Sequence, residues 1–347
     1  MSTAETQNHP LVSVVIINFN GLDYIEQCIK SVLENGYPNV EVILVDNASS
    51  DDSAELAEKM FSDSANFRII RNSKNIGPSA ARNVGAKSAK GEYLIFLDVD
   101  AKLEKGAITA FVNVLKSNKT VGACGGKVLL MDKPELIDSI GGYIDYLGFP
   151  TNINLFHEKD EGQYDNPIEI FLMKGTCMAV KRHVFEEVGG FDPTFFIIYE
   201  ENDICWRILL RGYKVIYLPN AVIFHKGSHT ISMFTPSWAT FYGTRNSLIT
   251  LIKNYSFPNL VKYLPLHVFI RITEIIFLML KGKRDPAIDK VKALIYIIKN
   301  FKSIWAKRVK VQRFIRRMPD SWVMKFMKRP KLYQLYRQFL QLYGGRS

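Results

Sequence analysis

Apolar residues in the first hundred positions fall into short unbroken runs, separated by stretches with helical spacing. VSVVII (12–17) is a β-branched run that reads as a strand. In residues 22–36, Ile25, Cys28, Ile29, Val32 and Leu33 share one helical face, and Gly36 lies just past the end. VEVILV (40–45) predicts a second strand, ending at Asp46; Ser50-Asp51-Asp52-Ser53 then caps a helix running to about Met60. FRII (67–70) predicts a third strand. Gly77-Pro78 opens a helix from Ser79 to Ala89, proline being well placed in a first turn, and Gly91 closes it before EYLIFL (92–97). Strand alternating with helix predicts an α/β fold, and strands without polar alternation predict a parallel sheet covered on both faces.

Residues 120–230 are more mixed. GKVLLM (126–131), TCMAV (176–180), KVIYL (214–218) and AVIFH (221–225) read as short strands, and one clear helix runs from about Glu201 to Arg211, stopped by Gly212. No Pro/Ser-rich linker divides the two halves, which predicts a shared core.

Polar residues gather where strands end: Asn18 and Asn20 after the first, Asp46 and Asn47 after the second, Asp98 and Asp100 after the fourth. Ligands of such sheets bind beyond the carboxyl ends of the strands, so three loops converge on one crevice. The first strand-to-helix turn, Asn18-Phe19-Asn20-Gly21, lacks the glycines of a dinucleotide fingerprint, and no P-loop motif occurs. Without a glycine cradle, phosphate charge must be neutralised otherwise. The Asp98-Val99-Asp100 triplet (DxD) offers oxygen ligands of the type that suit Mg²⁺ or Mn²⁺.

The composition, 47% hydrophobic and 23% charged over 347 residues, is that of a globular chain and excludes wholesale disorder. Four widely spaced cysteines form no CxxC pair and read as buried reduced thiols, as in a cytoplasmic protein. The polar start MSTAETQNHP lacks a signal-peptide pattern, and residues 1–10 are expected to be disordered.

Charge changes the picture at the other end. The net charge is +11, yet Lys281–Lys331 holds 17 Lys or Arg against three acids, a net +14, leaving −3 for the rest. Ile288, Val291, Leu294, Ile295, Ile298, Phe301 and Trp305 recur at helical spacing among lysines, which predicts a basic amphipathic helix suited to an anionic membrane surface. No nucleic-acid motif accompanies this charge, so no nucleic-acid partner is expected. The most apolar stretch, 260–280, is interrupted by Lys262, Arg271 and Glu274 and is expected to break at Pro265, which argues against a membrane span.

VSVVIINFN, VDNASSDDS (45–53), NIGPSAARNVG (75–85), DVD, GGFDPTFF (189–196) and YEENDICWRILLRGY (199–213) occur in the order found in family 2 glycosyltransferases of GT-A fold, over residues 10–230. The chain resembles the inverting, rhamnosyltransferase-like members. The resemblance implies a Rossmann-like mixed sheet over 11–231, a helical region over 232–347 and a metal-dependent reaction. A sugar would pass from a nucleotide-diphosphate donor to a hydroxyl of a glycan or lipid-linked acceptor. Asn18 and Phe19 would lie beside base and ribose, Asp46 would accept from a base N–H, and Arg82 would face the nucleotide. Asp98 would sit near the ribose and the metal, Asp100 would ligate the metal, and His225 would complete the site. Gly175, Thr176 and Asp192 would shape the acceptor side, with Trp206 as core or acceptor wall.

Inverting transfer needs a carboxylate to take the acceptor's proton. In the family pattern the second acid of a pair at a helix start does this. Here the pair is Glu200-Glu201, so Glu201 is the expected base, with Glu200 the alternative. Two other classes compete. A sugar-1-phosphate nucleotidyltransferase would want a GxGTRL-type loop where NFNGLD stands; an inactive nucleotide-sugar- or glycan-binding relative would not need the intact acids. The expected location is cytoplasmic, peripheral on the inner face of the membrane.

Overall fold

The structure, a computed structural model, describes residues 9–154, 157–227 and 236–330. The expected boundary at 231/232, most of the expected disordered N-terminus and the end of the basic region lie outside these residues.

The chain order is β1 (Val12–Asn18), α1 (Ile25–Leu33), β2 (Val40–Asp46), α2 (Ser53–Phe61), β3 (Phe67–Arg71), α3 (Pro78–Ser88), β4 (Tyr93–Asp98), β5 (Ala101–Leu103), α4 (Ala107–Ser117), β6 (Val121–Leu130) and β7 (Lys133–Ser139). A small hairpin, β8 (Gly142–Ile144) and β9 (Pro150–Asn152), precedes β10 (Ile168–Ile170), β11 (Cys177–Lys181), α5 (Arg182–Glu187), α6 (Glu200–Arg211) and β12 (Lys214–His225). Four longer helices follow: α7 (Pro236–Asn254), α8 (Phe257–Leu280), α9 (Arg284–Lys299) and α10 (Phe301–Lys310).

The main sheet has ten strands in the order β10-β12-β6-β11-β4-β1-β2-β3, with β5 on β12 and β7 on β6. β1, β2, β3 and β4 are parallel, as the alternation predicts; β11 runs antiparallel to β4 and β6, making the sheet mixed. Successive side chains point to opposite faces. Val12, Val14 and Ile16 therefore join one buried layer, and Val15 and Ile17 the other. The second layer continues without interruption through α6 and α7 to Met327, so the two halves share a core. The sheet and α3 approach closely: a Cβ on Gly85 would lie 2.2 Å from Val15 Cγ1.

Several elements depart from expectation. KVIYL and AVIFH form one strand, because a register shift between Leu218 and Val222 absorbs Pro219-Asn220. Pro265 does not break α8: it sits exposed, while buried Tyr263 and His267 on either side pin the helix to the body. The basic amphipathic pattern is split at Asn300 into α9 and α10.

Candidate functional site

Parallel register sets the site. Asn18 pairs with Asp46, and Ile17 with Asp98, so three strands end at one level. Beyond that edge lies a cavity of about 260 Å³, whose lining includes Phe19, Arg82, Asp98, Asp100, Glu201 and His225. Gly175, Thr176 and Glu200 line it too, as do Asn47, expected at the crevice without a role, and Lys174, which carried no expectation.

Asn18 and Asp46 are not part of the lining. Asn18 is fully buried and its Nδ2 donates to Asp46 Oδ1 at 2.9 Å, Ser49 Oγ at 3.1 Å and Ser53 Oγ at 2.8 Å. Asp46 also accepts from the Ser49 hydroxyl at 2.6 Å. The pair fixes the β1 and β2 termini, while their neighbours Phe19 and Asn47 face the cavity.

Asp100 and His225 are brought together by strand pairing, since Ala101 lies opposite His225. His225 Nε2 stands 3.7 Å from Asp100 Oδ2, and Nδ1 is bonded to Asp138 Oδ2 at 2.7 Å. A carboxylate on Nδ1 fixes the ring so that Nε2 is the free ligand atom. Asp138 also binds Lys174. Burial would raise the Asp138 carboxyl, but His225 and Lys174 outweigh it and hold it down at about 2. Asp98 Oδ1 instead accepts from Arg82 Nη2 at 2.8 Å. Among the described residues no three His, Cys, Asp or Glu side chains converge as a complete metal cage. An Asp–His pair opening on a cavity nevertheless fits a cation that takes its remaining ligands from substrate phosphates and water.

Arg82 lines the cavity and also braces it. It is buried, reaches Asp98, the Gly175 carbonyl at 3.0 Å and Glu200 Oε1 at 3.4 Å, and so ties α3, β4 and α6 together. Burial would depress its guanidinium, but Asp98, Glu200 and Glu201 more than compensate and raise it.

The turn before α6 is strained. Ile198 and Tyr199 both have positive φ, 67° and 76°, which side chains with a Cβ rarely adopt, β-branched ones least of all. Two contacts hold it. Asn246, fully buried on α7, donates from Nδ2 to the Ile197 carbonyl at 2.9 Å and the Ile198 carbonyl at 2.7 Å. Gly77 abuts the other side: a Cβ there would meet the Phe196 carbonyl at 2.4 Å. The strained turn delivers Glu200 and Glu201 into the cavity at the start of α6, each with a buried Oε2 that has no hydrogen-bond partner. Burial raises both carboxyls, and for Glu200 the neighbouring Glu201 charge adds to the effect. Glu201 is beside Gly175, whose Cβ position lies 3.6 Å from Glu201 Oε1.

Two expected acceptor-side residues are elsewhere. Trp206 is wholly buried, edge-on to Phe171 and Tyr255, because the inner face of α6 points into the core. Asp192 is outside the cavity, held by Lys253 at 2.6 Å and Lys307 at 2.5 Å. Asp203 joins this buried network through Lys253 at 3.0 Å and Arg207 at 2.8 Å.

The family model for glycosyl transferase family 2 matches residues 13–189. Glycosyltransferase GlyG of Streptococcus pneumoniae serotype 4 is 33% identical over 235 residues, covering 66% of this chain and 76% of GlyG. The poly-beta-1,6-N-acetyl-D-glucosamine synthase of Staphylococcus epidermidis is 25% identical over 219 residues, covering 63% of this chain and 50% of the synthase. The chain spans half or less of the length of the first curated relatives it matches. Among solved structures, GalNAc-T7 with UDP, GalNAc and Mn²⁺ superposes with TM-score 0.65 at 19% identity, over 96% of this chain and 58% of that one. Staphylococcus aureus TarS 1–349 in complex with UDP-GlcNAc gives 0.59 at 16%, over 94% and 92%. These likenesses carry the fold, and the sequence match carries the membership: the chain belongs to glycosyl transferase family 2 and has its GT-A fold.

Proposed function

We propose that the protein is a metal-dependent, inverting glycosyltransferase. It moves a hexosyl or rhamnosyl residue from a nucleotide-diphosphate donor to a hydroxyl of a glycan or lipid-linked acceptor, in cell-surface polysaccharide synthesis. One observation carries the reading: Glu201, whose carboxylate keeps one oxygen without a hydrogen-bond partner, lines the same cavity as Asp98, Asp100 and His225. Neighbouring structures add support, since GalNAc-T7 holds UDP and Mn²⁺, and TarS holds UDP-GlcNAc. The transferase domain would be residues 11–231 and the helical region 232–347.

The roles follow from position. Phe19 and Asn47 flank the nucleotide, braced by Asn18 and Asp46. Asp100 and His225 would hold the divalent cation, with Asp98 alongside, and there it would supply charge compensation for the departing diphosphate. Arg82 keeps Asp98 and Glu200 in place. The acceptor hydroxyl enters past Gly175 and Thr176. Its oxygen bonds to the anomeric carbon as the bond to the diphosphate breaks on the opposite side, and Glu201 takes the proton. A raised carboxyl pKa suits this task, because a base works best when its pKa lies near the working pH. Reduced buried cysteines agree with a cytoplasmic setting, at the inner face of an anionic membrane.

The test is nucleotide diphosphate release from a panel of nucleotide sugars with Mn²⁺, Mg²⁺ or EDTA. Release from one donor, abolished by EDTA and by Asp100→Ala, is expected. Release that survives both would refute the metal reading, and neither release nor metal-dependent nucleotide binding would refute the transferase.

A further inference from the structure

Helix α8 is built inside out. His267, Arg271 and Glu274 face the protein: Arg271 is buried, bonded to Glu274 at 3.0 Å, the Ser247 hydroxyl at 3.2 Å and His267 Nε2 at 3.2 Å. Lys290 of α9 closes on Glu274 at 2.8 Å. His267 is stacked on Phe149 and bonded to the Leu147 carbonyl at 2.6 Å. Residues 263, 267, 271 and 274 recur every three to four positions and form one stripe.

The opposite face is apolar and open. Phe257 is 62% exposed, Phe269 63%, Ile276 55% and Leu280 82%, with Val261 and Ile272 between them. A soluble surface helix has the reverse polarity, and an exposed apolar face of this size marks an interaction site. Basic residues edge it, with Lys262 near one end and Lys281, Lys283 and Arg284 at the other. Packed against it, α9 turns Ile288, Ile295 and Ile298 outward among lysines.

By length and composition alone α8 could cross a membrane: it has 24 residues and a window of mean hydropathy 1.7. Its ion pairs oppose that. A span would expose Arg271, Glu274 and His267 to hydrocarbon or strip them from Ser247, Leu147 and Lys290, and each of those changes is strongly uphill.

We propose that the outward face of α8, assisted by α9, is a monotopic membrane-binding surface that lies in the headgroup region of an anionic bilayer without crossing it. The apolar side chains enter the acyl boundary and the flanking lysines remain at headgroup level. The exposed Lys281, Arg284, Lys299 and Lys302 beside this face make anionic lipid the occupant, through electrostatic complementarity. The surface deepens the membrane partner inferred above and rests on that reading for its purpose, to meet a lipid-linked acceptor.

The experiment is flotation of the full chain with phosphatidylcholine vesicles, with and without phosphatidylglycerol, followed by alkaline carbonate extraction. Expected are binding that requires the anionic lipid, release by carbonate, and a drop of about tenfold or more for Phe269→Ser with Ile276→Ser. Both sites are exposed, so thermal unfolding of the double variant should match wild type. Thr273→Ser, a conservative change on the same helix, is the control and should float like wild type. Failure to float, equal flotation of the double variant, or retention after carbonate would overturn the proposal. So would apolar-face variants that dissolve a dimer without any vesicle binding, since a second copy would then be the occupant. Nucleotide diphosphate release without vesicles is measured in parallel: its loss counts against the transferase reading, and loss of flotation alone counts only against the surface.

Discussion

Replacing Asn246 by alanine tests whether α7 holds the catalytic turn. The substitution removes both donors to the Ile197 and Ile198 carbonyls in a fully buried position. Each orphaned carbonyl costs about 1–3 kcal/mol. The lower end applies, because relaxation of the strained Ile198-Tyr199 backbone returns about 1–2 kcal/mol. A net loss of about 2 kcal/mol follows, seen as a fall of a few degrees in Tm. The effect on turnover is much larger. Relaxing the turn displaces the first residues of α6, and a shift of about 1 Å in a catalytic group costs roughly a hundredfold. Nucleotide diphosphate release should therefore fall about a hundredfold, while calorimetric binding of the nucleotide, which the proposed function assigns to the ends of β1, β2 and β4, stays within about threefold. Thr250→Val, one turn on, is the control: it removes a buried hydroxyl with no hydrogen-bond partner, so Tm should hold or rise and turnover stay unchanged. If Asn246→Ala lowers Tm and leaves turnover intact, the turn is not what positions Glu201.

The two acids should separate on substitution. Glu201→Gln is expected to cut turnover by about 10²–10⁴-fold with nucleotide binding retained, and equal losses for Glu200→Gln and Glu201→Gln would refute the assignment. Glu200→Gln should also stabilise the protein as pH rises. A carboxyl raised by burial favours folding below its ordinary pKa of 4.5 and loses that contribution as pH climbs through the raised value, which pH-dependent denaturant unfolding will register. Asp192 has the opposite sign. Burial would raise it, but Lys253 and Lys307 win and hold it well below its ordinary 3.8. Its contribution is present above pH 3.8 and is lost as pH falls, so Asp192→Asn should destabilise by about 3 kcal/mol at neutral pH and flatten the acid limb; an unchanged limb would refute the pairing.

How much of this was legible in the chain depended on whether the signal was local. The first four strands announce themselves because each apolar run contacts both covering layers, and the first three helices because of helical spacing and capping signals in the sequence. The acids at 98, 100, 200 and 201 stand where an element begins or ends, so position in the pattern exposes them. Asp138 had no such marker: it lies in KPELIDS, a mostly polar strand, and acquires its role from His225, 87 residues away. Asn246 is equally silent, an amide in an ordinary helix whose partners lie 49 and 48 residues back. Trp206 misled because indole suits both a sugar-facing wall and a core, and only the direction of α6 decides. Pro265 misled because local propensity argues for a break, whereas packing on both sides outweighs one missing hydrogen bond.

The ion network beneath α6 bears on how such an enzyme can be recombined. Asp203 and Arg207 belong to α6, Asp192 to the preceding loop, Lys253 to α7 and Lys307 to α10. A chimera that took its first 231 residues from this chain and its remaining helices from a relative without lysines at positions 253 and 307 would leave Asp192 without its partners and Asp203 with Arg207 alone. A broken buried pair costs about 3–5 kcal/mol, comparable to the whole stability margin of many domains. The two ends can therefore be exchanged only as blocks in which α6 keeps both lysines. Inheritance of this protein's two ends is linked by electrostatics rather than by peptide continuity.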